Sequence, residues 1–197
     1  MKLHFDPHQS FQLDAINAVT GIFEGQPPNC GDFEFSSGDA LFQDMGVGNR
    51  LALSDEQILE NVQTVQKAND LTVSDVLDGM SFSVEMETGT GKTYVYLRTI
   101  YELNKKYGFK KFVIVVPSIA IREGVLKNLE ITFDHFQNLY DRIPVNYLVY
   151  DSKRVSALRN FSDNNNIQIL VINIDSFAKD ENIINKPNDR LTGKRPV

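Results

Sequence analysis

The sequence predicts an α/β fold, a parallel sheet flanked by helices, with a helical and loop insertion ahead of the first strand. Three observations predict it. From residue 81 onward, apolar strand-like runs alternate with stretches of helical period. Two of those runs, Phe112–Val116 and Ile167–Ile174, are almost uninterrupted, as strands covered on both faces of a parallel sheet are. A Gly-rich turn separates the first run from the helix after it. Strands alternating with helices imply right-handed βαβ units.

The elements follow in order. Residues 9–24 place Phe11, Ala15, Ile16, Val19, Ile22 and Phe23 at helical spacing, and Gly25, Pro27 and Pro28 end that helix. Residues 26–53 are rich in Gly, Asn, Asp and Ser and read as a long surface loop. Ser54 starts a second helix: its hydroxyl can accept the free N–H of Gln57, Gln57 can reach back, and Leu53 and Ile58 stand where a hydrophobic staple closes. Leu59, Val62 and Val65 carry the helix to about residue 68, so 26–80 reads as an insertion. Ser81–Glu87 alternates Phe82, Val84 and Met86, a strand pattern. Lys92–Tyr107 is helical, with Tyr94, Tyr96, Tyr101 and Tyr107 expected in part to pack on the sheet. Phe112–Val116 is a strand, Ala120–Leu129 a helix, Val145–Tyr150 a strand and Val155–Phe161 a short helix. Asn164–Asn166 forms a turn and Ile167–Ile174 the last strand. Residues 179–197 read as a polar tail or a boundary. The units expected are thus 1–25, 26–80, 81–178 and 179–197.

Composition narrows the function classes. Of 197 residues, 42% are hydrophobic and 23% charged, which is ordinary globular usage. No apolar run reaches the roughly 18 residues of a membrane span, and the first ten residues hold no apolar signal core. Cys30 is the single cysteine, which excludes an intramolecular disulfide and a cysteine-built zinc site; a cytoplasmic protein is expected. His4 and His8 are separated by Pro7 and read as ordinary polar residues. The net charge of -6 is uneven: residues 1–80 hold 3 basic against 13 acidic side chains, and the remainder 17 against 13. A polyanion would avoid the front and tolerate the rear.

The chemistry concentrates in Glu87-Thr88-Gly89-Thr90-Gly91-Lys92-Thr93, between a predicted strand and a predicted helix. Gly89 and Gly91 permit positive φ, so successive N–H groups can face one anion. The helix beginning near Lys92 adds its positive end. Lys92 offers a charge to the β- and γ-phosphates, and Thr93 a hydroxyl to Mg²⁺. Met86 stands where the general pattern G-x-x-x-x-G-K-[ST] has glycine. A decorative Gly-rich turn is the bland alternative.

This loop resembles motif I of the superfamily-two helicases and translocases. The stretch FSVEMETGTGKTYVYLRTIYELNKKYGFKKFVIVVPSIAIREGVLKNL resembles more narrowly the restriction (Res) subunit of type III restriction enzymes. VNYLVYDSKR, IQILVINIDSF and FQLDAI fit the same family, so the resemblance covers nearly the whole chain, and Met86 suits this subfamily. It implies the first part of a RecA-like P-loop core in an ATP- and Mg²⁺-dependent motor on double-stranded DNA. It also implies a DNA-methyltransferase (Mod) partner and a nuclease domain further along. Gln12 matches the upstream glutamine such enzymes set against adenine, whose edge suits a carboxamide; otherwise it is a helix-surface residue. Pro117, Ser118 and Arg122 match a motif contacting the DNA backbone, at a strand end where open α/β sheets place ligands. Alternatively Ser118 caps a helix and Arg122 is a surface charge. Asn173, ending the last strand, matches a further DNA-contacting motif.

No apolar strand runs into Asp-Glu here, and Asp180-Glu181 lacks the preceding hydrophobic run. The expectation is therefore an N-terminal part of a larger motor, whose own hydrolysis is negligible. Other readings stay open: a type I restriction motor subunit, a P-loop kinase or GTPase, or an interaction module whose acidic insertion docks a partner.

Overall fold

The computed structural model describes residues 4–28, 48–154 and 157–177. Cys30 and the middle of the predicted surface loop lie outside those residues, as do the start of the predicted short helix and the 179–197 tail with Asp180-Glu181. The helices are α1 (Ser10–Gly21), α2 (Asp55–Ala68), α3 (Lys92–Tyr107), α4 (Ile119–Leu139) and α5 (Ala157–Asp163). The strands are β1 (Lys111–Val116), β2 (Val145–Val149) and β3 (Ile167–Asn173). The strands form one sheet in the order β1-β3-β2, parallel throughout, with Val113 opposite Leu170 and Leu148 opposite the same residue from the other side.

β3 is central, and its apolar run Ile167–Ile172 is buried on both faces. Ile169 and Val171 point towards α3 and α4, where they join Leu97, Tyr101, Leu129 and Phe136 in the main core. Leu170 points the other way, into a smaller cluster with Leu158 of α5. Lys111 fastens α5 there by donating to the carbonyls of Phe161 and Asn164 at its C-terminal end.

α2 begins as its sequence directs. The Ser54 hydroxyl accepts from the Gln57 N–H at 3.3 Å, the Gln57 carboxamide accepts from the Ser54 N–H at 3.0 Å, and Ile58 is fully buried. α3 runs between two left-handed glycines, Gly91 and Gly108, over the predicted residues. α4 is longer than its first apolar stripe predicts. Val125, Leu129, Thr132 and Phe136 keep one face buried for a further ten residues, until Asp141 and Arg142 turn the chain with positive φ.

One predicted strand is not formed. Ser81–Glu87 lies outside any regular element, and Phe82 and Val84 are 37% and 47% exposed. The alternation of Phe82, Val84 and Met86 is a valid strand signal, but a strand exists only when a neighbour takes up its backbone hydrogen bonds. No described residue supplies that neighbour. Among the described residues the outer edge of β1 likewise has no partner strand, and Val113 and Val115 beside it are 45% and 48% exposed.

Candidate nucleotide-phosphate site

The loop 87–93 folds around one carbonyl. Glu87 O accepts from the Thr90 hydroxyl at 2.7 Å and from the Lys92 ammonium at 2.8 Å. Gly89 and Gly91 take φ of 83° and 85°, the left-handed region that only glycine enters cheaply. At Gly89 an added Cβ would meet nothing within 4 Å, so the loop surface there is open. At Gly91 it would come 2.7 Å from Gln12 Nε2. The Gly91 carbonyl accepts the Val95 N–H at 3.0 Å, which starts α3 and leaves its earliest N–H groups to face the loop.

Lys92 is bent inward over the loop, held by a neutral carbonyl. Among the described residues no carboxylate pairs with it, so its charge is available to an anion that displaces the carbonyl. Thr93 is half-buried beside the Tyr96 phenol, whose pKa is pushed up by burial while the Thr93 contact opposes the rise. Gln12 is buried (8% exposed) in α1, and its Nε2 donates to the Thr90 carbonyl at 2.9 Å. The structure therefore brings Gln12, Glu87, Thr88, Gly89, Thr90, Gly91, Lys92 and Thr93 to one place from two elements far apart in sequence. An open surface over Gly89, an unpaired ammonium and a hydroxyl at the first helical turn fit a Mg²⁺-bound polyphosphate chemically. The site is an exposed cradle. A cavity of about 90 Å³ opens instead at the end of β2, lined by Leu148, Val149, Tyr150, Asp151, Arg154 and Leu158, and shares no residue with the loop.

The residues singled out for DNA stand elsewhere, along the C-terminal ends of the strands. Pro117 and Ser118 follow β1. Ser118 is the N-cap of α4, its hydroxyl accepting from the Ile121 N–H at 3.3 Å. Arg122 pairs with Glu123, Nη2 to Oε1 at 3.0 Å. Asn173 ends β3, and its buried Oδ1 has no hydrogen-bond partner among the described residues. The capping role weighed in the sequence is thus present for Ser118, and Arg122, weighed there as a surface charge, is paired with its neighbour.

Sequence reasoning passed over Arg98. It is 7% exposed in α3, donates from Nε to the Tyr140 hydroxyl at 3.1 Å and from Nη1 to the Pro7 carbonyl at 2.5 Å. The Tyr140 hydroxyl donates in turn to Glu102 at 2.6 Å. Burial alone would pull the guanidinium pKa down. The Tyr140 hydrogen bond and the nearby Tyr94 and Glu102 outweigh burial and raise it. The available signal was the spacing of Tyr94, Arg98 and Glu102 by four, which puts a cation and an anion on the apolar face of one helix.

Fold and loop together define a partial P-loop α/β core. Its family is specific. The family model for the Res subunit of type III restriction enzymes matches residues 50–194. The EcoPI Res subunit of Escherichia phage P1 is 35% identical over 187 residues, and the EcoP15I Res subunit of Escherichia coli 31% over 191; each alignment covers 85% of this chain and 18% of the relative. The StyLTI Res subunit of Salmonella typhimurium is 38% identical over 123 residues, 54% of this chain and 12% of the relative. The chain belongs to the type III restriction enzyme Res subunit family. It spans about a fifth of the length of the EcoPI and EcoP15I subunits (18%).

Proposed function

We propose that this chain is the ATP-binding part of the motor of a type III restriction endonuclease, a cytoplasmic enzyme that works on double-stranded DNA with a methyltransferase (Mod) partner. On this reading residues 1–25 carry the adenine contact, 26–80 are an acidic insertion, 81–178 hold the first part of a RecA-like core and 179–197 are a polar tail. The observation that carries the reading is the loop at 87–93, with its two left-handed glycines, inward ammonium and Gln12 seated on it.

Phosphoryl transfer is catalysed by positioning and charge neutralisation. Bound Mg²⁺ supplies neutralising charge at the phosphate oxygens. The chain's residues do the rest. The N–H groups of residues 88–93 turn towards the anion. Lys92 exchanges the Glu87 carbonyl for phosphate oxygen, and Thr93 offers its hydroxyl to the metal. Gln12 has a carboxamide oxygen to accept from the adenine amine, while its Nε2 stays on Thr90. Pro117, Ser118, Arg122 and Asn173 border the DNA strand. The hydrolytic acid pair and the arginine that stabilises the transition state lie outside these 197 residues on this reading, so the chain alone turns over ATP negligibly.

The test is nucleotide binding and DNA-dependent ATP hydrolysis by the full-length protein. Lys92→Ala should abolish both, and retained hydrolysis would refute the reading. Turnover of about 1 s⁻¹ by the chain alone, lost in Lys92→Ala, would refute the division of labour.

A further inference from the structure

We infer that Arg98 is a positioning residue for nucleotide selection: from inside α3 it pins the segment that delivers Gln12 to the phosphate loop. The inference rests on the nucleotide reading above and adds a residue that no motif of the sequence marks.

Two contacts clasp residues 5–8. Arg98 Nη1 donates to the Pro7 carbonyl. Phe5 stacks on Tyr94, with centroids 5.8 Å apart at 16°, and lies 5.3 Å from the His135 ring; the Tyr94 hydroxyl and His135 Nε2 are joined at 2.9 Å. The Gln9 carbonyl, just past the clasp, takes the Gln12 and Leu13 N–H groups at 3.1 and 3.0 Å and so opens α1. Gln12 lies in that first turn, a stiff arm between the Pro7 anchor and the Thr90 carbonyl. The far end of α1 is pinned independently: the Tyr107 hydroxyl donates to Thr20 O at 2.9 Å and Lys106 donates to the Thr20 hydroxyl at 3.0 Å.

The chemistry explains why an arginine does this. A buried guanidinium costs free energy unless each side of its fork is bonded. Here one side grips a carbonyl of the N-terminal segment, and the other the phenol of Tyr140, just past α4, which donates in turn to Glu102. A lysine is a point donor and cannot hold two elements in this geometry. An apolar residue would fill the space and leave Pro7 unheld. With the front pin lost and the rear pin kept, α1 stays packed on α3 while Gln12 loses its fixed approach to the loop. The phosphate cradle itself, built from residues 87–93, does not depend on Arg98.

The experiment measures affinity of the full-length protein for Mg²⁺ complexes of ATP, GTP and inorganic tripolyphosphate. In Arg98→Met, ATP should weaken by about fivefold or more, the ratio one ordinary hydrogen bond is worth, and preference over GTP should shrink. Tripolyphosphate should stay within about twofold, because it never meets Gln12. Gln12→Ala should give the same pattern, and Arg98→Met added to Gln12→Ala should cost nothing further, as residues acting through one another do. Phe5→Ala, which loosens the clasp without disturbing the buried charge, should reproduce the pattern and carries the test if circular dichroism finds Arg98→Met unfolded. Unchanged ATP affinity, equal losses for ATP and tripolyphosphate, or full additivity with Gln12→Ala would overturn the inference. Failure of the unaltered protein to bind either ATP or tripolyphosphate would overturn the nucleotide reading itself.

Discussion

Two glycines of the same loop share a backbone conformation and differ in surroundings, which makes them a matched pair. Gly89 and Gly91 have φ of 83° and 85°. Alanine at either position pays the left-handed penalty of about 1–2 kcal/mol, a loss of about 5- to 30-fold in the population of the anion-binding loop. At Gly89 nothing lies within 4 Å of the new methyl, so the penalty stops there. At Gly91 the methyl would sit 2.7 Å from Nε2 of the buried Gln12, well inside contact distance, so the contact strains the loop. That overpacking adds about 1 kcal/mol, or about a further fivefold. Tripolyphosphate is the right ligand, because it reads the loop without the adenine contact. Titration calorimetry of the full-length protein should place Gly91→Ala about fivefold below Gly89→Ala. Adding Gln12→Ala to Gly91→Ala should remove the clash and bring the affinity back to the Gly89→Ala level. Equal affinities for the two alanine variants, or no recovery on removing Gln12, would refute the claim that Gln12 is seated on this loop.

Two further outcomes test the framework around the site. Ser54→Ala removes the acceptor for the Gln57 N–H and should lower unfolding free energy by about 1 kcal/mol, read as a lower urea midpoint with unchanged slope. His135 has its pKa lowered from 6.5 by burial first, then by the charges of Arg98 and His4. Below about pH 7 the unfolded chain therefore takes up a proton that the folded chain resists. Stability should be full above the unfolded value and decline as pH falls through 6.5 towards the folded value, and His135→Phe should flatten that part of a urea midpoint against pH profile. A slope unchanged in His135→Phe would assign the acid sensitivity to other groups.

The parts legible in the sequence are those whose cause is local. The α2 capping box needs only residues 54–58, and α3 needs only a glycine at each end of an apolar stripe. The turn at 87–93 is local too, so the positive φ of Gly89 and Gly91 was legible in seven consecutive residues. Three features were less legible, each for a different reason. α4 outran its prediction because its buried face passes through Thr132 and His135, which dilute the apolar stripe without breaking its period. Ser81–Glu87 carried a strand pattern and formed none, because alternation reports which side of a segment can be buried and says nothing of whether a neighbour is present. Arg98 was marked only by its spacing from Tyr94 and Glu102, because its partners are a backbone carbonyl 91 residues away and a phenol 42 residues away.

That last case bears on the residues proposed to border DNA. Ser118 and Arg122 each already have a local partner, and a local partner does not exclude a second role. The Ser118 hydroxyl caps α4 as an acceptor, which leaves its own proton free to be donated. Arg122 meets Glu123, but the Glu123 side chain is 60% exposed, and pairs of that kind contribute about 0–1 kcal/mol. A phosphate oxygen offers the same fork a stronger, bidentate partner. Arg98 is the opposite arrangement: buried, forked between two elements and with no access to solvent anions. Arg98 and Arg122 are thus separated by exposure. The buried one can only hold the protein to itself, and the half-exposed one can exchange its weak partner for a ligand.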